Sequence, residues 1–141
     1  MRVIGFNFEK ISAERKKYFE GNLEIKSNIS VKDIKTEKID IVKDQEALKF
    51  DFEFEVDYSK DSASVFLKGF ALILIEKDRA KDILKKWKNK KIEEDVRLPL
   101  FNLILSKSNL RAMQLEEELG LPLHIPLPRV KPQSQEANYT G

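Results

Sequence analysis

Along residues 48–58, Leu48, Phe50, Phe52, Phe54, Val56 and Tyr58 alternate strictly with Lys49, Asp51, Glu53, Glu55 and Asp57. A period of two puts the apolar set on one face and the charged set on the other, which predicts a β-strand with one buried and one wet face. The run from Ser64, SVFLKGFALILIEK, is apolar at both parities apart from Lys68 and Gly69, so both faces of that strand are expected to be covered. Between the two, YSKDSAS supplies the polar turn of an antiparallel hairpin. Upstream, Ile4, Phe6 and Phe8 alternate with Gly5, Asn7 and Glu9, and after a charged connection Leu23, Ile25, Ile29 and Val31 hold one parity around Ser27. Each predicts a further strand. The charged segment KTEKIDIVKDQEA before the third strand reads as a solvated loop or a short strand extension.

From Asp78 the period changes. Asp78 is placed as the cap of a short helix whose apolar stripe is Ala80, Ile83, Leu84 and Trp87, with lysines opposite. A second, long helix is predicted over roughly 92–119, where Val96, Leu100, Leu103 and Leu110 form one row and Phe101, Ile104, Leu105, Ala112, Leu115 and Leu119 a second. That band is wider than a one-sided helix needs. Pro99 fits only a first turn or a kink, so regular helix is expected from near Leu98. Gly120 provides a left-handed stop and Pro122 blocks continuation. The arm beyond carries Leu121, Leu123, Ile125 and Leu127 on one side. With no amide hydrogen at Pro122, Pro126 or Pro128 it cannot lie inside a sheet, and it must rest on an apolar surface.

Strands segregated before helices define an α+β class: a four-stranded antiparallel sheet followed by a short helix and a long helix packed on it. The expected organisation is a single domain over 1–130 with a flexible C-terminal tail over 131–141. The fourth strand and the long helix show more apolar surface than one layer pair should hide, which predicts self-association.

Composition narrows the chemistry. The chain has 141 residues, one domain's worth, with no cysteine and one histidine, which removes disulfides, thiolate nucleophiles and most histidine-based metal or catalytic sites. Charged residues make up 35% of the chain yet nearly cancel to a net +2, so composition offers no global case for nucleic-acid binding. No signal-peptide pattern opens the chain and no apolar run approaches a membrane span. A cytoplasmic protein without membrane insertion is expected.

Three stretches resemble the SecB family of export chaperones, including the SecB-like proteins of archaea and of toxin-antitoxin systems. FNFEKIS, from Phe6, resembles the family's first strand. FDFEFEVDYSKDSASVFLKGFALILI resembles its central hairpin, with a glycine inside the second strand. LPLFNLILSKSNLRAMQLEEELGLPLHIPLP resembles its major helix and the proline-bearing segment that follows. The resemblance covers most of residues 3–130. It implies a four-stranded sheet beside a long helix, assembly as a dimer or dimer of dimers, and long apolar grooves that hold unfolded polypeptide. The tail VKPQSQEANYTG lacks the zinc-binding, SecA-directed character of many bacterial members, and the chain lacks their acidity. Coupling to a SecA motor is therefore not expected.

Candidate contacts to a polypeptide client follow from surplus apolar surface. They are Phe6 and Phe8 in the first strand, Phe66, Phe70, Leu72 and Leu74 in the fourth, Met113 in the long helix, and Leu123, Ile125 and Leu127 in the arm. Phe50, Phe52 and Phe54 are assigned to the core. Core or oligomer packing is the plainer role for Met113, and sealing of the domain's own core is preferred over a groove rim for the arm. His124 opposes the arm's apolar side chains, as a solvent-facing or hydrogen-bonded residue rather than a metal ligand. KKWKNKK, from Lys85, mixes lysines with Trp87 in the manner of an RNA-contacting helix, but Trp87 continues the Ile83 stripe and is placed inward with the lysines solvated. Glu93, Glu94, Asp95 and Glu116 to Glu118 sit on helices without histidines or motif spacing, so no catalytic or metal role is assigned. No phosphate loop, metal-protease helix or calcium loop can be matched. The expected function is an ATP-independent holdase for unfolded or nascent chains, including export clients, without cofactor and not an enzyme. The alternative is an oligomeric adaptor docking a ribosome, RNA or protein partner through the basic helix 78–91.

Overall fold

The computed structural model describes residues 1–16, 21–39, 43–130 and 132. Its elements are β1 (Arg2–Arg15), β2 (Ile25–Glu37), β3 (Gln45–Tyr58), β4 (Ala63–Glu76), α1 (Lys77–Trp87) and α2 (Glu94–Glu118), with one 3-10 turn, Ser59–Asp61, closing the β3–β4 hairpin. The strands form a single antiparallel sheet in the order β1-β4-β3-β2. The two strands richest in apolar residues occupy the centre, where both neighbours shield them. The two poorer strands take the edges.

Even-numbered residues of β3 face the helices, and Leu48, Phe50, Phe52, Phe54, Val56 and Tyr58 are all at most 2% exposed. Across the ladder from them stand Ile73, Ala71, Gly69, Leu67, Val65 and Ala63 of β4. Burying each large side chain contributes roughly 1.5–3 kcal/mol, so this row is the main stabilising unit. Phe50, Phe52 and Phe54 are core, as the alternation predicts.

Both edge strands run further than their alternation indicates, and the reason is the same in each. In β1 a bulge between Phe8 and Lys10 resets the parity, so Ile11 and Ala13 return to the helix side opposite Leu67 and Val65. In β2 a bulge between Val31 and Asp33 brings Ile34 opposite Phe50. An extra residue breaks the period of two without ending the strand. The charged segment from Lys35 to Ala47 is partly strand: it extends β2 to Glu37 and opens β3 at Gln45. Residues 40–42 lie outside the described ones, as does the tail predicted to be flexible, apart from Pro132.

α1 begins one residue before the predicted cap. β4 passes directly into it, Glu76 occupies the N-cap without a side-chain bond, and Asp78 lies in the first turn. The exposed amide of Lys77 donates instead to the Asp44 carbonyl at 3.0 Å. Ala80, Ile83 and Trp87 are buried as their spacing predicts. At its end Lys90 adopts a left-handed conformation, φ +57°. The Lys90 amide donates to Trp87 O at 2.8 Å and the Lys91 amide to Lys86 O at 3.2 Å, a Schellman stop without glycine. Arg79 joins α1 to the start of α2 through Asp82, Asp95 and Glu93 at 2.6, 2.7 and 3.4 Å.

α2 starts at Glu94, four residues ahead of the predicted Leu98, with Pro99 inside it. Proline there removes one donor, leaving the carbonyl of Asp95 without a helical partner near the solvated end of the helix. The buried residues are Val96, Leu100, Ile104, Ser108, Ala112 and Glu116, one every fourth position. Each step of four advances about 40° around the axis, so the buried stripe winds about the helix where it crosses a twisted sheet. This winding explains the broad apolar band in the sequence. Leu98 and Leu110, which fall opposite the stripe, stay 49% and 63% exposed.

Candidate functional site

The end of α2, the arm and the nearby ends of β1 and β3 converge in one assembly. Gly120, φ +64°, stops the helix: its amide donates to Glu117 O at 3.1 Å and that of Leu121 to Glu116 O at 2.8 Å. Arg15 closes β1 by donating to the carbonyls of Leu119 and Gly120, both at 3.0 Å, so a cation caps the negative end of the helix dipole. The turned-back arm then lies against the sheet, with Leu121 only 5% exposed in the same cluster as Phe54, Val56 and Tyr58.

A buried polar clasp holds the arm. The Glu116 carboxylate is fully buried and His124 is nearly so, their side chains 0% and 2% exposed. The His124 backbone amide donates to Glu116 Oε1 at 3.0 Å, and its Nδ1 lies 2.9 and 2.8 Å from the two carboxylate oxygens. Nε2 meets the side-chain amide of Asn109 at 2.9 Å. A carboxylate at Nδ1 calls for an N–H there, and Asn109, which can present either end of its amide, supplies the partner for Nε2. The imidazole packs edge-on against Phe54, centroids 5.9 Å apart. His124 is thus the hydrogen-bonded residue of the two sequence readings, not the solvent-facing one. Glu116 is the correction: a histidine does meet it, because the glycine stop folds the arm back over the last helical turns.

Tyr58 completes the clasp. Its hydroxyl donates to the Pro122 carbonyl, with the Glu116 carboxylate beside it. Burial, and then the adjacent carboxylate, push the phenol well above its usual value. An unfolded tyrosine ionises near pH 10. The folded-state value being higher, Tyr58 contributes its full stability below about pH 10 and loses it as pH rises toward the folded value. Tyr58→Phe is expected to cost about 1–2 kcal/mol at neutral pH. Its melting temperature should then decline less steeply than the parent's between about pH 9 and about pH 11. Parallel slopes in thermal melts would argue against this role.

On the far side of the arm an open hollow of about 630 Å³ separates it from α2, lined by Leu110, Arg111, Met113, Gln114, Glu117, Glu118, Leu123 and Leu127. Three sequence-predicted contacts meet here: Met113, Leu123 and Leu127. Ile125 is half-buried along the same arm, while Leu127 is 55% exposed. The arm therefore divides into a sealing part, Leu121 to Ile125, and an exposed end at Leu127.

The other candidates lie elsewhere. Phe6 and Phe8 are on the helix side of the sheet at its β1 edge, stacked at 5.3 Å and edge-on at 6.2 Å to Phe52. Phe66, Phe70 and Leu72 are half-buried on the opposite face. Among the described residues no second layer covers that face, contrary to expectation. Lysine side chains lie over it instead, Lys10 at 5.5 Å from the Phe66 ring and Lys49 at 4.6 Å from that of Phe70. Leu74 is 7% exposed beside Arg2 and Ala47 and offers no open surface. Nine of the ten predicted residues thus occupy three separate surfaces, Leu74 being buried, and β4 and the arm do not border one groove. The residues that sequence reading missed are Glu116, Asn109, Tyr58 and Arg15, whose roles depend on partners 8 to 105 positions away. The one available signal was a lone histidine just past a glycine helix stop.

No protein-family model matches the chain and no curated protein matches its sequence. Among solved structures it is similar to the SecB-like chaperone Rv1957 of Mycobacterium tuberculosis, determined in complex with a ChAD peptide from the Rv1956 HigA1 antitoxin. The TM-score is 0.52 at 9% sequence identity, over 92% of this chain and 89% of that one. The likeness is one of fold: an antiparallel four-stranded sheet followed by a short and a long helix, as the sequence resemblance implied. Among the described residues no helix is long and apolar enough to cross a membrane.

Proposed function

Taking this SecB-like fold as premise, we propose that the chain is an ATP-independent holdase that captures extended apolar segments of unfolded or nascent polypeptides. The observation that carries the reading is the hollow between α2 and the arm. Leu110 and Leu127 stand 63% and 55% exposed on its walls, a juxtaposition of large apolar side chains that a purely structural arm would bury. Capture buries that surface together with a client's apolar side chains, and the outer edges of β1 and β2, which pair with no further strand among the described residues, can add backbone hydrogen bonds to an extended segment. The peptide bound to Rv1957 supports the reading by precedent. In this proposal the protein works in the cytoplasm as a homo-oligomer, a dimer or dimer of dimers, and needs no cofactor. Exposed Val3, Ile4 and Ile11 on β1 and Leu98 on α2 supply apolar surface for assembly.

The test is suppression of aggregation of chemically unfolded clients, without ATP, at near-stoichiometric chaperone. Protection is expected from the parent protein. The Leu110→Asp/Leu127→Asp double variant should need about tenfold more protein for equal protection, since two exposed apolar contacts are replaced by charges. Absence of protection for several apolar clients would sink the proposal.

A further inference from the structure

A second apolar cleft, about 410 Å³, opens near the other end of α2. Val31 of β2, Trp87 of α1, Ile92 of the α1–α2 connection and Phe101 of α2 form its apolar lining, and the remaining lining residues are all cations: Lys32, Lys90 and Arg97. Lys32 has a distant partner, Glu53 at 3.9 Å. Lys90 and Arg97 have no carboxylate within 4.0 Å among the described residues. Three acids at the α1–α2 junction are committed, Asp82 and Glu93 to Arg79 and Lys86 and Asp95 to Arg79, while Glu94 in the first turn of α2 is exposed. The Lys90 charge is also placed by the backbone. The left-handed stop of α1 aims its side chain back over the indole, with Nζ 4.5 Å from the ring centroid.

We infer that this cleft selects client segments in which an aromatic or aliphatic side chain is flanked by acidic residues. The inference rests on the polypeptide-binding proposal and adds the class of client. The apolar side chain fills the space against Ile92 and Phe101, at the margin of the Lys90-covered Trp87 ring, while neighbouring carboxylates meet Lys90 and Arg97, leaving no cation facing an apolar ligand uncompensated. The hollow at the arm has the opposite bias. Glu117 and Glu118 line it, and its one cation, Arg111, is bonded to Gln114 at 3.0 Å. The two clefts thus favour segments of opposite charge, which would suit a chain in which charges of both signs flank apolar runs. A single-stranded nucleic acid would meet the same cations, but base stacking needs an open aromatic face. Trp87 is 9% exposed and Lys90 covers its ring, so the polypeptide is the better fit.

Trp87 is the chain's single tryptophan, so its emission reports on this cleft. Three labelled peptides sharing one Leu-Phe-Leu core, flanked by Glu, Gln or Lys, would be titrated by anisotropy and by Trp87 fluorescence. As read by Trp87, the Glu-flanked peptide is expected to bind about tenfold more tightly than the Lys-flanked one at low salt. Raising salt to about 0.5 M should compress that preference. Lys90→Glu/Arg97→Glu should invert the order, and the exposed single change Arg97→Gln should narrow it if the double variant does not fold. Equal binding of the three peptides as read by Trp87, with aggregation still suppressed, overturns this inference alone. No peptide binding and no protection overturns the holdase proposal with it. Displacement of the acidic peptide by an RNA oligonucleotide with higher affinity overturns it in favour of a nucleic-acid adaptor.

Discussion

Glu116→Ala is expected to lower the unfolding free energy by about 3–5 kcal/mol, the usual cost of leaving one member of a buried ionisable pair without its partner. The carboxylate accepts from the His124 backbone amide and lies against its ring nitrogen and the Tyr58 hydroxyl. Removing it leaves the His124 amide and ring nitrogen buried without that acceptor. The substitution also removes the carboxylate anchor between α2 and the arm, leaving only the Asn109 bond to the His124 ring and the Leu121 amide bond to the Glu116 carbonyl among the described residues, and so loosens Leu121 on the cluster of Phe54, Val56 and Tyr58. Denaturant titration would show a lower midpoint with an unchanged slope, and a loss under about 1 kcal/mol would refute the clasp. Glu116→Gln keeps the shape and one acceptor and should cost clearly less. The same geometry decides where the arm can be cut. Removing everything after Gly120 takes away the seal with the hollow, whereas a cut after Pro126 removes exposed Leu127 and spares His124. Only the second cut separates folding from binding.

Gly69→Val should release β1 from the sheet, at a cost of about 3 kcal/mol or more. A side-chain carbon at this position would fall 2.3 Å from the Asn7 carbonyl oxygen and 3.0 Å from both Phe8 Cα and Phe52 Cζ. Two of these contacts are backbone atoms of the neighbouring strand and cannot swing away. The reason is local closeness rather than an unusual dihedral angle. Glycine lets β1 approach β4 while Phe52 passes underneath, and this brings Phe6 and Phe8 onto the Phe52 ring. Hydrogen exchange should show β1 amides losing protection while the β2–β3 pairing retains it. Uniform loss, or none, would contradict an edge-strand effect.

Much of the architecture was legible because it is written in local periods. The alternation through Phe50, Phe52 and Phe54 located the central strand and its buried face. The stripe at Ala80, Ile83 and Trp87 located the short helix, and Gly120 marked the end of the long one. Legibility failed where one residue was inserted. The bulges at Glu9 and Lys32 shifted parity, so Ile11, Ala13 and Ile34 looked unrelated to the strands that contain them. A second failure came from reading a stripe as fixed on the helix surface. The row from Val96 to Glu116 winds with the sheet's twist, and its sideways drift resembled an extra apolar face.

The candidate sites were legible as residue types and not as places. Met113, Leu123 and Leu127 were named from surplus apolarity, and the fold brings them to one hollow. Phe66, Phe70 and Leu72 carried the same signal, yet they lie on the other side of the sheet. By itself the sequence determined element types, their order, the hairpin, the helix stop and the identity of the core row, because each depends on a residue's own face or on its immediate neighbours. Tertiary structure alone decided the strand order, the burial of Glu116 with His124 and Tyr58, and the two clefts of opposite charge. Those depend on which distant residue stands opposite, and a period along the chain carries no information about that.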